Sequence, residues 1–511
     1  MEQSPESNVT LNHLESSLKN SEVSTHVWVV AVPFFSHLIP ASELAETLAK
    51  HGLTITLLGT KHDIQRLVST RAGTVSNWKH QGLDLLLRPL ESAELAAATG
   101  GNGKSGKFLP TMNAYMAILE ETLKEDAKRK CSPTFVIADS LLTGIAGLLA
   151  AHLDVPLCPF LSISPSVIAA GVYFNHLELM GIPGRPSFPL AKEAQGALIS
   201  LPGLPLMRVL DLPPSLLKNN PLNAVVDENA KFLNRSQHII MHSFHELESR
   251  GCSELGKLLT ANAAATKNEK VPHVCTVGPL FSLDSYSPEI KDPNNEEERV
   301  KACIEFLDSQ PQSSVVYVGF GVEIGLSREQ ILELIDGLER SKQPFLCVLH
   351  PSEKDHNPGA EDPFSVIPAD YKQRIRGRGL FVEWSPQRTI LSHPSTGAFM
   401  SHCGYGSVLE AASFGIPMLA WPWQYEQFVH CRFVVDELGT GFEVRPGRVA
   451  GEFVEKKDVE KAIKTLFHSK EGLMVRERAL EMKERAKRSI GKDGSSTKNM
   501  QILIAAIKGQ S

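Results

Sequence analysis

The sequence predicts an α/β protein of two consecutive parallel-sheet units with a cleft between them, and three observations predict it. HVWVVAV (26–32) is an apolar run of strand length, LIPASELAETLAK (38–50) sets Leu38, Ala41, Leu44, Ala45 and Leu48 on one helical face, and GLTITLLG (52–59) is a second apolar run. A strand, an amphipathic helix and a strand make a βαβ unit with parallel strands. The same alternation restarts at SSVVYVGFG (313–321), SREQILELIDGLERSK (327–342) and PFLCVLH (344–350). At 511 residues the chain exceeds one ordinary domain and can bury two cores.

Residues 1–23 are polar and fall outside the expected fold; 24–265 form the first domain, 266–298 the linker, 299–485 the second domain and 486–511 a final helix. His37 follows the first strand, at the carboxyl edge where open parallel sheets bind ligands. A loop histidine is ordinarily structural, but this place suits a base. Asp139 ends the strand TFVIA (134–138) and precedes an apolar helix. It can orient the His37 ring and stabilise the imidazolium, or cap that helix, and the two roles are compatible. PFLSISPSVIAAGVYFNHLELMGIP (159–183) is an apolar stretch that serves either as core or as the wall of a substrate site. HIIMHSFHELE (238–248) reads as the last strand and helix of the first domain, and the Pro-, Asp- and Asn-rich stretch after 266 as the linker.

The most informative segment is 384–427. GAFM (397–400) is strand-like, SHCGYG is a turn, SVLEAASF suits a buried helix, and Gly415 and Pro417 stop it before PMLAW. A strand, a glycine-containing turn and a helix start converge unpaired N–H groups on one point, which makes an anion site. Ser407 stands in the first turn, Trp384 offers a face for a flat base, and Glu410 lies one turn on, placed to accept from ribose hydroxyls. Singly, Trp384 reads as a core aromatic, Glu410 as a solvated helix residue and His402 as a structural histidine.

Composition narrows the partners. Lys plus Arg total 52 against 58 for Asp plus Glu, a formal charge of −6, which gives no reason to expect nucleic acid or an anionic membrane. The amino terminus lacks the basic start and apolar core of a secretory signal, and no apolar run of about 18 residues occurs, so a cytoplasmic protein without stable membrane insertion is expected. Eight dispersed cysteines without CxxC pairs suit reduced thiols. No metal is expected, because His393, His402 and Cys403 match neither HExxH nor paired CxxC spacing. GNGKSG (101–106) lacks the first glycine and the leading strand of a phosphate loop, and Gly319-Phe320-Gly321 fails as a dinucleotide fingerprint at Ile324, which argues against an NAD-dependent oxidoreductase.

Taken together, segment 384–427 resembles the C-terminal signature of plant family 1 UDP-dependent glycosyltransferases. The match runs without insertion through Trp384, Pro386, Gln387, Ile390, Leu391, His393, Gly397, Phe399, Ser401, His402, Cys403, Gly404, Ser407, Glu410, Gly415, Pro417, Trp421, Pro422, Glu426 and Gln427. PFFSHLIP matches the family's histidine loop, with Ser36 for the usual Gly, and LPGLPLMRVLDLP (201–213), FHELE (244–248) and CTVGPL (275–280) are further family-like phrases. The resemblance implies a GT-B fold, two Rossmann-like parallel-sheet domains facing an interdomain cleft, with the last helix crossing back to the first domain. It implies His37 as general base in a dyad with Asp139, Trp384 stacked on uracil, Gln387 and Glu410 on the ribose, His402 and Ser407 on the diphosphate, and Glu426 with Gln427 on the sugar. Ser385, Gly404, Tyr405, Gly406, Tyr425 and Gly321 complete the donor-binding set.

Two departures stand out. The family's Trp-Asn is Tyr405-Gly406 here, which removes an amide donor to phosphate and alters the wall beside the sugar; Val322 replaces a serine of the family's SFGS, leaving the anion to backbone groups. The activity implied is inverting, metal-independent transfer of a hexose, glucose from UDP-glucose by the terminal Gln427, to a small apolar or phenolic acceptor such as a flavonoid, by a monomer that needs no cofactor. The alternatives are C-glycosylation of a phenolic ring and a degenerate protein that binds the UDP-sugar without turnover.

Overall fold

Seven parallel strands make the first sheet: β1 (His26–Val30), β2 (Thr54–Thr60), β3 (Leu85–Leu90), β4 (Phe135–Asp139) and β5 (Leu157–Leu161), then, after the small antiparallel hairpin β6 (Leu198–Ile199) and β7 (Met207–Arg208), β8 (His238–Met241) and β9 (His273–Thr276). Their spatial order is β3-β2-β1-β4-β5-β8-β9. The second sheet is built from β10 (Val315–Gly319), β11 (Phe345–Val348), β12 (Gly379–Val382), β13 (Thr396–Ser401), β14 (Met418–Ala420) and β15 (Gly441–Glu443), in the order β12-β11-β10-β13-β14-β15 and again all parallel. This computed structural model describes residues 25–95, 108–129, 132–182, 184–186, 196–220, 223–266, 270–283, 296–321, 324–349, 363–447 and 449–510. The polar segment 1–23, the insert 101–106, Cys131, Val322 and much of the expected linker lie outside these residues.

Helices cover both faces of each sheet, which explains why the inner strands are largely apolar rather than alternating: every residue of β1, β4, β10 and β13 is buried. One face of the first sheet packs Val27, Ile55 and Ile137 against Leu44 and Leu48; the other packs Trp28, Val30 and Val136 against Tyr115 and Leu119. The second sheet is likewise sandwiched, with Val316 and Met400 on one side and Val315 and Phe399 on the other.

In each sheet the chain winds outward from the founding strand and then returns to place the next strand on its other side. Beside β1 lie β2 and β4; beside β10 lie β11 and β13. The connections leaving the two central strands diverge at that point and open a crevice at their carboxyl ends. His37 follows β1 and Asp139 ends β4, while Gly321 follows β10 and the turn 402–404 follows β13. The two halves of the expected site thus occupy equivalent places in the two sheets.

Three expectations need correction. The stretch 266–298 is not linker throughout, because His273–Thr276 is strand β9, paired with β8 in the register His238↔His273; correspondingly, 238–248 does not end the domain, and its helix runs from Ser249 to Ala265. Four residues carry no readable period, and Cys275 becomes apolar core only once β8 lies beside it. His37 is not in a loop: the helix Phe35–Lys50 starts before it, and Pro40 forfeits only a bond to the first turn. The last break falls after the helix Lys470–Ser489 rather than at 485, because the chain turns at 490–494, where a Cβ on Gly494 would meet the Ser489 carbonyl at 2.1 Å.

The final helix, Ser495–Ile507, leaves the second domain and packs Met500, Leu503, Ile504 and Ile507 into the core of the first. Asn499 Nδ2 donates to the Thr276 carbonyl at 3.0 Å and Ser496 donates to the Gly278 carbonyl, so the helix covers the edge of β9. Among the described residues no helix is long and apolar enough to cross a membrane. Leu503 is fully buried in that contact. Replacing it with alanine should destabilise the protein by about 2–5 kcal/mol through the lost burial and the cavity left behind, read as a lowered thermal unfolding midpoint.

Candidate active site

The first-domain side of the site is a hydrogen-bonded pair. His37 Nδ1 lies 2.8 Å from Asp139 Oδ2, with the Asp139 side chain fully buried and 18% of the His37 side chain exposed. An ionised carboxylate only accepts, so Nδ1 carries the proton and Nε2 is left as the basic atom. Asp139 also caps: its Oδ1 accepts from the Leu141 N–H at 3.0 Å and starts the short 3-10 turn Ser140–Leu142. The orienting and capping roles divide between its two oxygens. Ser162, at the end of β5, stands beside both partners, its Oγ 3.1 Å from His37 Nδ1 and 3.5 Å from Asp139 Oδ2. Sequence reasoning missed this serine, since nothing in FLSIS marks one hydroxyl; the only signal was its place at a strand's carboxyl end.

The facing side is the turn between β13 and the helix Tyr405–Phe414. Gly404 occupies the N-cap position and no side chain caps the helix, so its first N–H groups remain open to an anion. His430 Nδ1 holds the Cys403 carbonyl at 3.0 Å and fixes the turn, where Cys403 adopts φ 66°. His402 packs so closely against two glycines that each must lack a side chain: a Cβ on Gly404 would come within 2.5 Å of its Nε2, and one on Gly321, at φ +74°, within 3.1 Å of its ring. Burial lowers the His402 pKa to about 4, so it meets a ligand as a neutral imidazole. Gly406 is different; space within 4 Å of its missing Cβ is empty, and the helix start is open there.

Beside this turn Tyr317, Ser385, Gln387, Ser407, Glu410 and Arg388 form one hydrogen-bonded network. Trp384 is half-buried and lines the cavity, whereas Trp28 and Trp421 are sealed in cores. Tyr317 donates to Gln387 Oε1 at 3.2 Å and lies 2.9 Å from Ser385 Oγ. The Gln387 amide then donates to Glu410 Oε2 at 2.6 Å and to Ser407 Oγ at 3.3 Å. Arg388 Nε donates to Glu410 Oε1 at 2.6 Å, an ion pair the sequence reading did not foresee.

At the far end, Gln427 Oε1 accepts from the Trp423 and Gln424 N–H groups at 2.9 and 3.0 Å. Both partners are donors, so the carbonyl end is committed and the amide end remains for a ligand. Glu426 is the N-cap residue of the helix Gln427–Arg432, and Tyr425, at φ 56°, is exposed; both line the cavity. Tyr405 also lines it, but its hydroxyl donates across the domain seam to Glu248 Oε1 at 2.8 Å. Glu248 accepts as well from Ser164 and Ser166, and burial pushes its carboxyl up despite those donors. The Tyr in place of Trp therefore ties the domains together besides forming a wall.

His37, Ser162, Trp384, Gln387, His402, Ser407, Glu410 and Gln427 line one cavity of about 1420 Å³ between the sheets, larger than the roughly 300–1,000 Å³ of a single small-molecule site. That size admits two co-substrates. Its first-domain wall includes Phe34, Leu141, Ile163, Val167, Ile168 and Leu216. The stretch 159–183 serves both purposes: Ile163, Val167 and Ile168 face the cavity, while Ala169, Ala170 and Phe174 are core. Among the described residues, His238, His273 and Cys275 bring ligand-type atoms within 4.8 Å of one another on β8 and β9, none of them lining the cavity.

Two parallel sheets facing one cavity, with the His37–Asp139 pair at one switch point and an open helix start at the other, make a GT-B fold. The family model described as UDP-glucoronosyl and UDP-glucosyl transferase matches residues 291–478. UDP-glycosyltransferase 85C1 of Stevia rebaudiana is 28% identical over 517 residues, covering 97% of this chain and 99% of its own, and linamarin synthase 1 of Manihot esculenta is 28% identical over 510 residues, covering 94% and 96%. The fold is shared with TcCGT1 in complex with UDP (TM-score 0.77, 24% identity, 96% of this chain and 100% of that one) and with Medicago truncatula UGT71G1 complexed with UDP-glucose (0.74, 23%, 95% and 99%). Over nearly its whole length the chain is similar to plant UDP-glycosyltransferases, a likeness that supports glycosyl transfer from a UDP-sugar as its class of reaction.

Two measurements test this geometry. Gly404→Ala should displace the His402 ring and lower UDP affinity at least roughly tenfold, by calorimetry, while unfolding temperature changes little; this allots about 1.4 kcal/mol to the turn. His402 stays neutral in the fold to about pH 4 but protonates near 6.5 when unfolded. The unfolded chain therefore binds more protons between those values, so this stabilisation is complete above pH 6.5 and is lost as pH falls toward 4. The drop in unfolding free energy from pH 7 to pH 5 should shrink by about 2 kcal/mol in His402→Gln, at about 1.4 kcal/mol per pKa unit.

Proposed function

We propose that the protein transfers glucose from UDP-glucose, with inversion and without a metal, to a hydroxyl of a small apolar acceptor such as a flavonoid or another phenolic. It acts as a monomer in the cytosol, where its described cysteines, all free and buried, stay reduced. The observation that carries this reading is the pairing of His37 with Asp139 on the same cavity as the uncapped helix start at Gly404.

His37 Nε2 takes the proton of the acceptor hydroxyl, and Asp139 stabilises the imidazolium that forms. The acceptor oxygen bonds to the anomeric carbon from the face opposite UDP as the bond from that carbon to the β-phosphate oxygen breaks, and the electron pair leaves with UDP. Negative charge grows on the diphosphate, where the amides of the helix start, Ser407 and the neutral His402 ring supply preorganised donors that act more strongly on the transition state than on the ground state. Trp384 stacks on uracil, Glu410 and Gln387 hold the ribose, and the free amide end of Gln427 donates to a sugar hydroxyl beside Glu426. The choice of glucose draws support from Gln427, and from the solved relative that holds UDP-glucose. An apolar acceptor fits the first-domain wall, and one solved relative, Phytolacca americana UGT2, is complexed with pterostilbene.

Release of UDP over a panel of phenolic and alcohol acceptors, with mass spectra of the products from several UDP-sugars, tests the reading. With an alcohol acceptor, His37→Ala should lower kcat by about 10²- to 10⁴-fold and leave UDP affinity unchanged, and a chelator should not slow the wild type. UDP binding without release across the whole panel would instead favour a degenerate binding protein, for which the lost amide at Gly406 is the motive. Undiminished turnover after replacing both His37 and Asp139 with alanine would overturn the base assignment.

A further inference from the structure

We propose that Arg388 is a positioning residue that couples donor binding to closure of the cleft, by holding the ribose carboxylate and the base-bearing helix on one guanidinium. The inference rests on the reading of Glu410 as the ribose carboxylate, and extends it to Arg388 and Glu43, which that reading does not use.

Arg388 belongs to the second domain, next to Gln387 on the helix Gln387–Ser392. Its Nε donates to Glu410 Oε1 at 2.6 Å, while its Nη1 crosses the cleft and donates to Glu43 Oε1. Glu43 lies on the helix Phe35–Lys50, six residues after His37. One planar group therefore spans from the ribose carboxylate to the helix that carries the base. The guanidinium also rests on the face of Phe281, 4.2 Å from the ring centre, which fixes its plane. Lysine could not substitute, because a point charge on a flexible stem cannot present two edges to two carboxylates at once.

The charges alternate along the chain of contacts: Arg71 to Glu43 at 2.8 Å, Glu43 to Arg388, Arg388 to Glu410. The Glu43 side chain is 4% exposed and that of Arg388 19%, so each link is weakly screened and removing one partner strands a buried charge. Burial alone would raise the Glu43 pKa, but the Arg388 and Arg71 charges, with His242 and the Arg388 hydrogen bond, bring it to about 2, and it remains ionised. Its other oxygen, Oε2, has no hydrogen-bond partner; His242 Nε2, on a ring that burial holds neutral with a pKa of about 4, stands 4.0 Å away. The hold on Glu43 therefore falls on the one oxygen that both arginines share.

An opened cleft would cost Arg388 its contact with Glu43 and leave the Glu410 carboxylate with a partner no longer fixed from both sides. A closed cleft orients Glu410 for the ribose hydroxyls. By reciprocity, ribose binding at Glu410 favours the closed arrangement, in which His37 faces the donor.

Full-length Glu43→Gln, Arg388→Met, Arg388→Lys, the Glu43→Gln/Arg388→Met pair and Glu410→Ala are compared by calorimetric UDP binding, by KM for the donor and for the acceptor, and by unfolding temperature. Glu43→Gln should weaken UDP binding and raise the donor KM about tenfold, within the usual span of coupling between sites, although Glu43 is in the other domain, and leave the acceptor KM within about twofold. The double variant should bind UDP no more weakly than Arg388→Met alone, and Arg388→Lys should not restore affinity. If Arg388→Met unfolds, the double variant, which neutralises both buried partners, carries the comparison with Glu43→Gln. Wild-type UDP affinity in Glu43→Gln, or losses that multiply in the double variant, would overturn the coupling while a loss of binding in Glu410→Ala still upholds the ribose reading. Unchanged affinity in Glu410→Ala would remove that reading, and the coupling with it.

Discussion

Parallel strands can bring chemistry together only at their carboxyl ends, and in this protein that constraint applies twice. Each sheet starts from a central strand, β1 or β10, winds outward and returns on the other side, so two connections part at the same edge. The parting leaves room for what stands at the strand ends: His37 and Asp139 in one sheet, the turn 402–404 and Gly321 in the other. Neither edge is a reactive site by itself. One holds the His37–Asp139 pair and the other the uncapped helix start, and only the cavity between them brings the two together.

What brings the edges into register is the seam between the domains, and it is unusually polar for something so buried. Apolar contact supplies part of it, with Phe244, Leu247 and Phe281 packed among second-domain residues such as Val408 and Phe414. The rest is directional. Tyr405 reaches Glu248, Arg388 reaches Glu43, and the last helix returns to cover β9. Directional bonds matter here because apolar surfaces tolerate sliding, whereas a misplacement of about 1 Å between reacting groups is costly to rate. Of the two residues at which the turn departs from the family pattern, Tyr405 adds a bond across this seam, while Gly406 leaves open space at the start of its helix.

The site also shows how burial selects protonation states. His402 and His430 are held neutral by burial, with pKa values of about 4, and the cradle therefore offers dipoles rather than fixed cations. Glu43 is equally buried yet ionised, because two guanidiniums face it. The difference lies in the neighbours rather than in the depth.

Much of this was legible in the amino-acid order. The two βαβ starts, the stop of the cradle helix at Gly415 and the placement of His37 and Asp139 at strand ends follow from local periodicity and turn chemistry, which act over a few residues. Strand β9 was not legible, because HVCT gains its apolar partners only from β8 and from the returning helix. Ser162 and Arg388 were missed for a related reason: a serine or arginine is unremarkable until a partner over a hundred residues away stands within hydrogen-bond reach, as His37 and Glu43 do. The sequence by itself determined most of the strands and helices, β9 excepted, and that His37 and Asp139 stand at strand ends. The tertiary structure alone decided which edges face each other and which charges meet across the gap, since those contacts join residues whose separation in the chain leaves no periodic trace.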